Sequence, residues 1–535
     1  MFSDLLSKIS TLNNFYIFSI LFLFVICCYG VTLGNGLFFD DEHFIYKNEA
    51  VKNLDLTTLF SKSLSSGSGE VSNYYRPLLF TGFSLEYQLF NDNGFIYHLN
   101  SFLLHFLGSI LLFLLIKKLF ENRLLALLTS LLFLIHPIQT EAISYASGRG
   151  DPLSFFFIIS TLLLLLSKKK NYRLMSFVTL GAALLSKEIA LMTPGLIFLV
   201  YLFSQRSFTK ETLIKSFIQT LPYAIITGSY FILRITVLNF SNTLNFYNAA
   251  NIYSSNLLVR LQTFFNVFPT YVGLLIYPKS LFMERDSGIQ IMTSFNLRII
   301  VSIISIIVAL CLSAWKRKSD PIILFSILWV AVTFVPTSGI LPINGIFYEH
   351  FLFFPSVGFF LLLSHLFLLL YKRATHIFKE ILCLLLFLCI ITLCVRTISR
   401  NLEWHDPITF YTQTLSHVQS ARAFNNLAMA YAESEKPHDA ISTYKKAIAL
   451  SDTYPETHYN LGNVYASIQD TSNAEKEYKK ALSISPQFYL SYITLYSIYK
   501  STNNKEGLDF VHENLSSLGK SNPQFVVLLN QLEKN

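Results

Sequence analysis

Gly36-Leu37-Phe38-Phe39-Asp40-Asp41-Glu42-His43-Phe44 is the stretch on which the reading of this chain turns. Three acids in a row follow an apolar run, Phe15 to Leu33, that is long enough to span a bilayer. Acids at that exit sit where membrane meets water, and charge at that depth is costly unless it is solvated or has work to do. A polar stop signal that keeps the helix end in water explains such acids as well as a working site does. The rest of the chain separates the two.

Of the 535 residues, 52% are hydrophobic, only 14% are charged, and 50 are Phe. Soluble domains carry about a quarter charged residues, so this composition specifies a polytopic membrane protein. Residues 401–535 hold 11 Lys/Arg against 14 Asp/Glu, while residues 1–400 hold 30 against 19. The basic excess lies in short loops between apolar runs. It is a topology signal and excludes nucleic acid as a partner. The six cysteines, Cys27, Cys28, Cys311, Cys383, Cys389 and Cys394, all lie in apolar runs, spaced for neither a disulfide framework nor a metal site. The run Phe15–Leu33 is long for a signal peptide and lacks a small-residue cleavage site, so it reads as a retained first span.

Spans are expected at about 15–35, 98–116, 124–135, 153–167, 174–186, 189–203, 216–238, 297–315, 321–336, 351–371 and 380–396, about eleven in all. Lys8, Lys117-Lys118, Lys168-Lys169-Lys170, Arg206 to Lys215, Lys316-Arg317-Lys318 and Lys372 to Lys379 mark alternate loops as cytoplasmic. The Asp40-Asp41 loop, His136–Asp151 and Lys187-Glu188 then share the opposite face. Leu257–Tyr277 is apolar but interrupted by Arg260, Gln262, Asn266 and Pro269, which suits an interfacial or re-entrant helix. The carboxyl terminus emerges outside.

After Arg400 a period appears. Leu427, Ala428, Tyr431, Ala440, Tyr444 and Ala447 recur 34 residues later as Leu461, Gly462, Tyr465, Ala474, Tyr478 and Ala481, with Pro486 closing the unit. This is tetratricopeptide spacing: small residues let paired helices touch and aromatics fill between them. A degenerate unit follows with Leu495, Tyr499 and Leu508, and Trp404 to Leu415 reads as the second helix of an unfinished earlier one. The expected architecture is all-α, with a membrane domain over 1–400 and a repeat solenoid over 401–535. The solenoid's groove suits an extended peptide, or equally a scaffold for another subunit.

Channels and transporters place polar groups near mid-membrane. Here the charge sits at span ends, as suits an enzyme working at the interface on a lipid-borne substrate. Asp40 and Asp41 are candidates for a general base and its orienting or metal-binding partner. Arg149, Lys187 and Arg76 are cations on the same face that could each hold a phosphate. Glu141 and Glu188 could instead pair with them in plain salt bridges. His43 and His136 flank these segments. His98 begins a span with His105 at helical spacing, which favours packing. Glu349-His350 opens a later span as a site pair or as a helix-start charge.

The stretch Phe39-Asp40-Asp41-Glu42-His43-Phe44 resembles the phenylalanine–aspartate–glutamate–X–histidine–phenylalanine motif of the protein O-mannosyltransferases, with Asp41 at the glutamate position. His136–Asp151 more closely resembles the transmembrane-and-tetratricopeptide (TMTC-type) O-mannosyltransferases. So do Tyr75-Arg76-Pro77, Tyr97-His98-Leu99-Asn100, Ser186-Lys187-Glu188 and Tyr348 to Ser356. The resemblance covers the whole chain. It implies a GT-C membrane glycosyltransferase that inverts at the sugar carbon, with a polyprenyl- or dolichyl-phosphate sugar, mannose or another hexose, as donor and a protein Ser or Thr hydroxyl as acceptor. Asp40 would be the base and Arg149 the donor-phosphate cation. No cofactor is implied beyond the lipid-linked donor, and the residues specify no divalent metal. Two departures stand out: relatives often carry Glu-Arg where this chain has Glu349-His350, and many have more repeats. The membrane is a bacterial plasma membrane or the endoplasmic reticulum, with the site and repeats on the far side from the cytoplasm. The rival readings are a membrane-anchored scaffold, and a GT-C enzyme that modifies a lipid or glycan.

Overall fold

The computed structural model describes residues 12–63, 74–167, 169–238, 252–340 and 345–534; the topology markers Lys8 and Lys168 lie outside them. Every regular element among the described residues is helical. The chain forms two compact units that meet between Asp406 and Pro407.

In the first unit, α1 (Asn14–Tyr29) starts where the Asn13 side chain accepts from the Tyr16 N–H, and it ends in a tight turn over Gly30–Gly34. Two helices follow the acidic loop: α2 (Pro77–Phe90), opened by a proline whose missing N–H costs nothing there, and α3 (Gly94–Phe120), which ends at Lys117-Lys118. Helix α4 (Arg123–Ile135) stops at His136 because a residue before proline is pushed out of the helical region; Pro137–Ile143 then continues at a 53° bend. Next come α5 (Gly150–Leu165), α6 (Lys170–Ser186), α7 (Thr193–Ser204) and α8 (Lys210–Thr236). The unit closes with α9 (Leu257–Ile276), α10 (Leu297–Trp315), α11 (Pro321–Phe334), α12 (Pro355–Arg373) and α13 (His376–Leu402).

Among the described residues seven helices are long and apolar enough to cross a membrane, or eight with the bent pair, so the chain is a multi-pass membrane protein. They coincide with the expected spans at 15–35, 98–116, 153–167, 216–238, 297–315, 351–371 and 380–396. The rest of the expected eleven fall on the bent pair, on α6, and on the short apolar helices Glu188–Ser204 and Pro321–Thr337. Helix α9, the expected interfacial segment, is continuous. Its Arg260 side chain is buried and donates to the Gly339 carbonyl at 2.8 Å.

Apolar helices in lipid gain little from hydrophobicity alone, so they associate through close packing. A Cβ on Gly358 would lie 2.6 Å from the Ser326 carbonyl, which is how near α12 comes to α11. Trp329 on α11 donates to the Phe354 carbonyl at 3.0 Å. Phe133, Phe155 and Phe353 stack or meet edge to face at 4.8 to 5.5 Å between centroids. This packing fixes α4, α5, α11 and α12 against one another.

The second unit is a repeat stack: α14 (Pro407–Leu415), α15 (Ala421–Glu433), α16 (Pro437–Leu450), α17 (Pro455–Ser467), α18 (Thr471–Ile484), α19 (Tyr489–Ser501), α20 (Lys505–Gly519) and α21 (Pro523–Lys534). The periodic residues do what their spacing implies. Ala428, Ala440, Tyr444, Leu461, Ala474 and Tyr478 are buried together, and Gly462 leaves room for the Tyr478 ring. Trp404 is an exception: it belongs to the first unit, where it is fully buried.

Candidate active site

The turn after α1 brings the chain to Phe39, whose φ of 63° is the left-handed region that a bulky side chain rarely adopts. Such strain persists only where surroundings impose it. Here the Phe39 ring lies 5.8 Å from that of Tyr145, and the Asp40 N–H donates to the Tyr145 hydroxyl at 3.2 Å. Beyond the kink, Glu42–Tyr46 forms a wide π-type turn that also carries His43.

The three acids then part company. Asp41 is 1% exposed, and its Oδ1 accepts from the Ser147 N–H at 2.7 Å and from the Ser147 hydroxyl. Burial pushes its carboxyl up to about 7, against the pull of the Ser147 bonds and with a further push from Asp40. Glu42 turns outward and pairs with Lys47 at 2.7 Å. Asp40 stays half-buried.

The cations gather around Glu188, in the break between α6 and α7. Its carboxylate accepts from Arg76 Nε at 2.9 Å and from the Tyr75 N–H at 3.1 Å, and lies 3.6 Å from Arg234 Nη2. Lys187 reaches Asp151 at 2.7 Å, and its stem packs on Gly150. Three cations and two carboxylates thus meet in this cluster among the described residues. The Arg76 guanidinium also lies 4.6 Å from the Tyr74 ring. Tyr74 feels the charges of Arg76, Glu188, Asp40 and Arg234 together, so the acid loop and the basic cluster share this neighbour.

Arg149, expected beside Lys187, turns the other way. It is 3% exposed; it pairs with Glu86, donates to the Tyr97 carbonyl at 2.7 Å and the Ser101 hydroxyl at 3.2 Å, and lies over the Phe83 ring. Each of its nitrogens makes a bond within the protein, so in this geometry it ties α2 to α3 from a buried place.

A second network is sealed. Glu349 accepts from the Phe282 N–H at 2.6 Å and Arg285 at 3.1 Å, and lies 3.5 Å from Arg400, which also pairs with Glu403. Beside it Glu141 accepts from the His350 N–H at 3.1 Å and lies 2.6 Å from His350 Nδ1. His98 is buried against the Gly36 backbone, and His136 accepts from the Ile138 N–H at 3.2 Å; both are packing positions. Among the described residues no group of three or more His, Cys, Asp or Glu is arranged to hold a metal ion.

Arg234, Glu86, Tyr145, Ser147, Arg285 and Arg400 were not singled out from the sequence. Arg234 carried a usable signal, a charge in the last turn of an apolar helix. Glu86 and Ser147 carried none, since their partners lie 63 and 106 residues away.

Residues 77–232 match the dolichyl-phosphate-mannose-protein mannosyltransferase family, and 429–469 and 455–488 match tetratricopeptide repeats. The human protein named protein O-mannosyl-transferase TMTC3 is 25% identical over 464 residues, which is 78% of this chain and 50% of that one. Protein O-mannosyl-transferase F38B6.6 of Caenorhabditis elegans is 26% identical over 79% of this chain and 61% of its own length. Human protein O-mannosyl-transferase TMTC1 is 33% identical over a shorter stretch, 24% of this chain and 15% of its own. The chain thus spans about half the length of such relatives. Residues 77–232 thus resemble the dolichyl-phosphate-mannose-protein mannosyltransferase family, the carboxyl-terminal part carries tetratricopeptide repeats, and most of the chain is similar to proteins named protein O-mannosyl-transferases.

Proposed function

We propose that this protein transfers a sugar, in first place mannose, from a polyprenyl-phosphate donor to Ser or Thr hydroxyls of a protein acceptor on the extracytoplasmic side of its membrane. Asp40 is the general base, Arg76 and Lys187, with Arg234, receive the donor phosphate, and the repeats bind the acceptor. The observation that carries this reading is the fate of the three acids. Asp41 is enclosed by Ser147 and Glu42 pairs with Lys47, whereas Asp40, half-buried at the exit of the first span and held by Tyr145, keeps surface from which to reach a substrate.

The chemistry follows from those positions. The Asp40 carboxylate takes the proton of the acceptor hydroxyl as that oxygen attacks the anomeric carbon from the side opposite the phosphate. The bond from that carbon to the phosphate oxygen breaks, and polyprenyl phosphate leaves with the electron pair. One carboxylate suffices for an inverting transfer of this kind. The cations around Glu188 stabilise the charge that grows on the departing phosphate. The basic loops Lys117-Lys118 and Lys316-Arg317-Lys318 orient the acid loop away from the cytoplasm. Arg149 braces α2 against α3.

The test is product analysis. Purified full-length protein is incubated with dolichyl-phosphate mannose and a Ser/Thr-rich polypeptide, and the intact mass of the polypeptide is measured. A hexose increment supports the reading. An unchanged mass with every polyprenyl-phosphate hexose tried, from protein that retains its helical content, would favour a scaffold.

A further inference from the structure

The segment that follows the bent α4 pair holds both aspartates. Ser147 takes the side chain of Asp41, and two residues earlier Tyr145 takes Asp40. The Tyr145 hydroxyl accepts the Asp40 N–H at 3.2 Å, and its side chain is also hydrogen-bonded to that of Asp40. Its ring is pinned on both faces of the loop, stacked on Trp404 at 5.5 Å and 29° and set 5.8 Å from Phe39. Trp404 has no exposed surface. It lies just past the end of α13, with the Phe38 ring 6.3 Å away and the Arg400 guanidinium 5.7 Å from its own ring. One residue further, the His405 carbonyl accepts the Gly36 N–H at 3.4 Å. The end of the last membrane helix and the loop after the first are therefore joined at Gly36, Phe38 and, through Tyr145, at Asp40.

From this geometry we infer that Tyr145 is a positioning residue for the transfer: its hydroxyl fixes the Asp40 backbone and carboxylate, and its ring anchors that fix to Trp404. This rests on the reading of Asp40 as the base. The kink at Phe39 gives the reason such a device is needed. A backbone held in the left-handed region relaxes if its restraints go, and a rotation there swings the next carboxylate away from its target. A base displaced by about an ångström loses orders of magnitude in rate while substrate contacts made elsewhere persist. Tyr145 does not touch the substrate. It acts through the acid loop, on Asp40 directly and beside Ser147, to which its side chain is also hydrogen-bonded, so its loss lowers turnover without weakening donor binding.

The experiment uses the full chain in detergent or nanodiscs, with dolichyl-phosphate mannose as donor, and compares Tyr145→Phe, Trp404→Phe and Asp40→Asn. Tyr145→Phe keeps the stacked ring and removes the hydroxyl. Its kcat should fall about tenfold to a hundredfold, as for loss of a hydrogen bond to a charged group, with donor KM within about twofold of the parent. Trp404→Phe keeps an aromatic face and should lose less. Hydrogen exchange over residues 36–46, read on the same samples, should accelerate in Tyr145→Phe, because the Asp40 N–H loses its acceptor. Unchanged kcat and unchanged exchange in Tyr145→Phe, beside an inactive Asp40→Asn, overturn the inference and leave the base assignment standing. An active Asp40→Asn overturns the base assignment and with it the catalytic role of Tyr145; the exchange data then decide only whether Tyr145 holds the loop.

Discussion

The two ion networks at span ends are built from similar residue types and differ in closure at their centres. Around Glu349, Arg400 and Glu349 itself keep 1% of their side-chain surface and Arg285 10%. Around Glu188, Arg76, Lys187 and Glu188 keep 13 to 17% of their side-chain surface, while Arg234 keeps 9%. A network closed at its centre holds helices together. One whose cations keep some access can admit an anion. Arg and Glu at a span end therefore do not by themselves mark a site; residual access on the cations is what makes the Glu188 cluster a candidate.

Substitution breaks the comparison most sharply at Glu349. Glu349→Gln takes from buried Arg285 the carboxylate it pairs with and leaves Arg400 with Glu403 alone, so it should cost about 3–5 kcal/mol. The measurement is thermal unfolding in detergent, where a shift comparable with that of a surface substitution would place Glu349 outside the sealed class. Asp41 follows. Its carboxyl is pushed up from 3.8 to about 7 by burial. Below about pH 4 both folded and unfolded states hold the proton and the group costs nothing. Between about 4 and 7 the unfolded state releases it first, so stability declines as pH rises, and above about 7 the full penalty of about 4 kcal/mol remains. Asp41→Asn should flatten that decline in unfolding curves recorded from pH 4.5 to 8. An undiminished slope would assign it to other groups.

On the open side the effects move to substrate affinity. Arg76→Met and Lys187→Met should each raise the donor KM about tenfold to a hundredfold, with kcat changed less. Equal losses from Arg149→Met with the fold intact would return the phosphate to Arg149. The smallest effect belongs to Glu42→Gln, which removes an exposed pair with Lys47 and should alter stability by no more than about 1 kcal/mol and turnover hardly at all.

The fold was legible because its signals are local. Apolar length set α1, α3, α5, α8, α10, α12 and α13, and the 34-residue period set the repeat helices down to the pairing of Gly462 with Tyr478. Span number was less so, since Pro137 and the Lys187-Glu188 break divide apolar runs into pieces too short to qualify alone. At the candidate site the sequence singles out the charged residues but not their partners. Arg149 and Lys187 both read as cations at span ends; only the fold turns one inward onto Glu86 and leaves the other at Asp151. Likewise Asp40 and Asp41 are indistinguishable by composition. The left-handed turn at Phe39 and the distant Ser147 separate them.

That separation is tested most directly by turnover of Asp40→Asn and Asp41→Asn at saturating donor and acceptor, with folding and donor binding of both variants verified. Loss of a general base typically costs about 10²–10⁴ in rate. Asp40→Asn should fall by that order with donor affinity intact, and Asp41→Asn, enclosed by Ser147, should fall less. If Asp40→Asn keeps more than about a tenth of parental turnover while Asp41→Asn or Glu188→Gln does not, Asp40 is not the base.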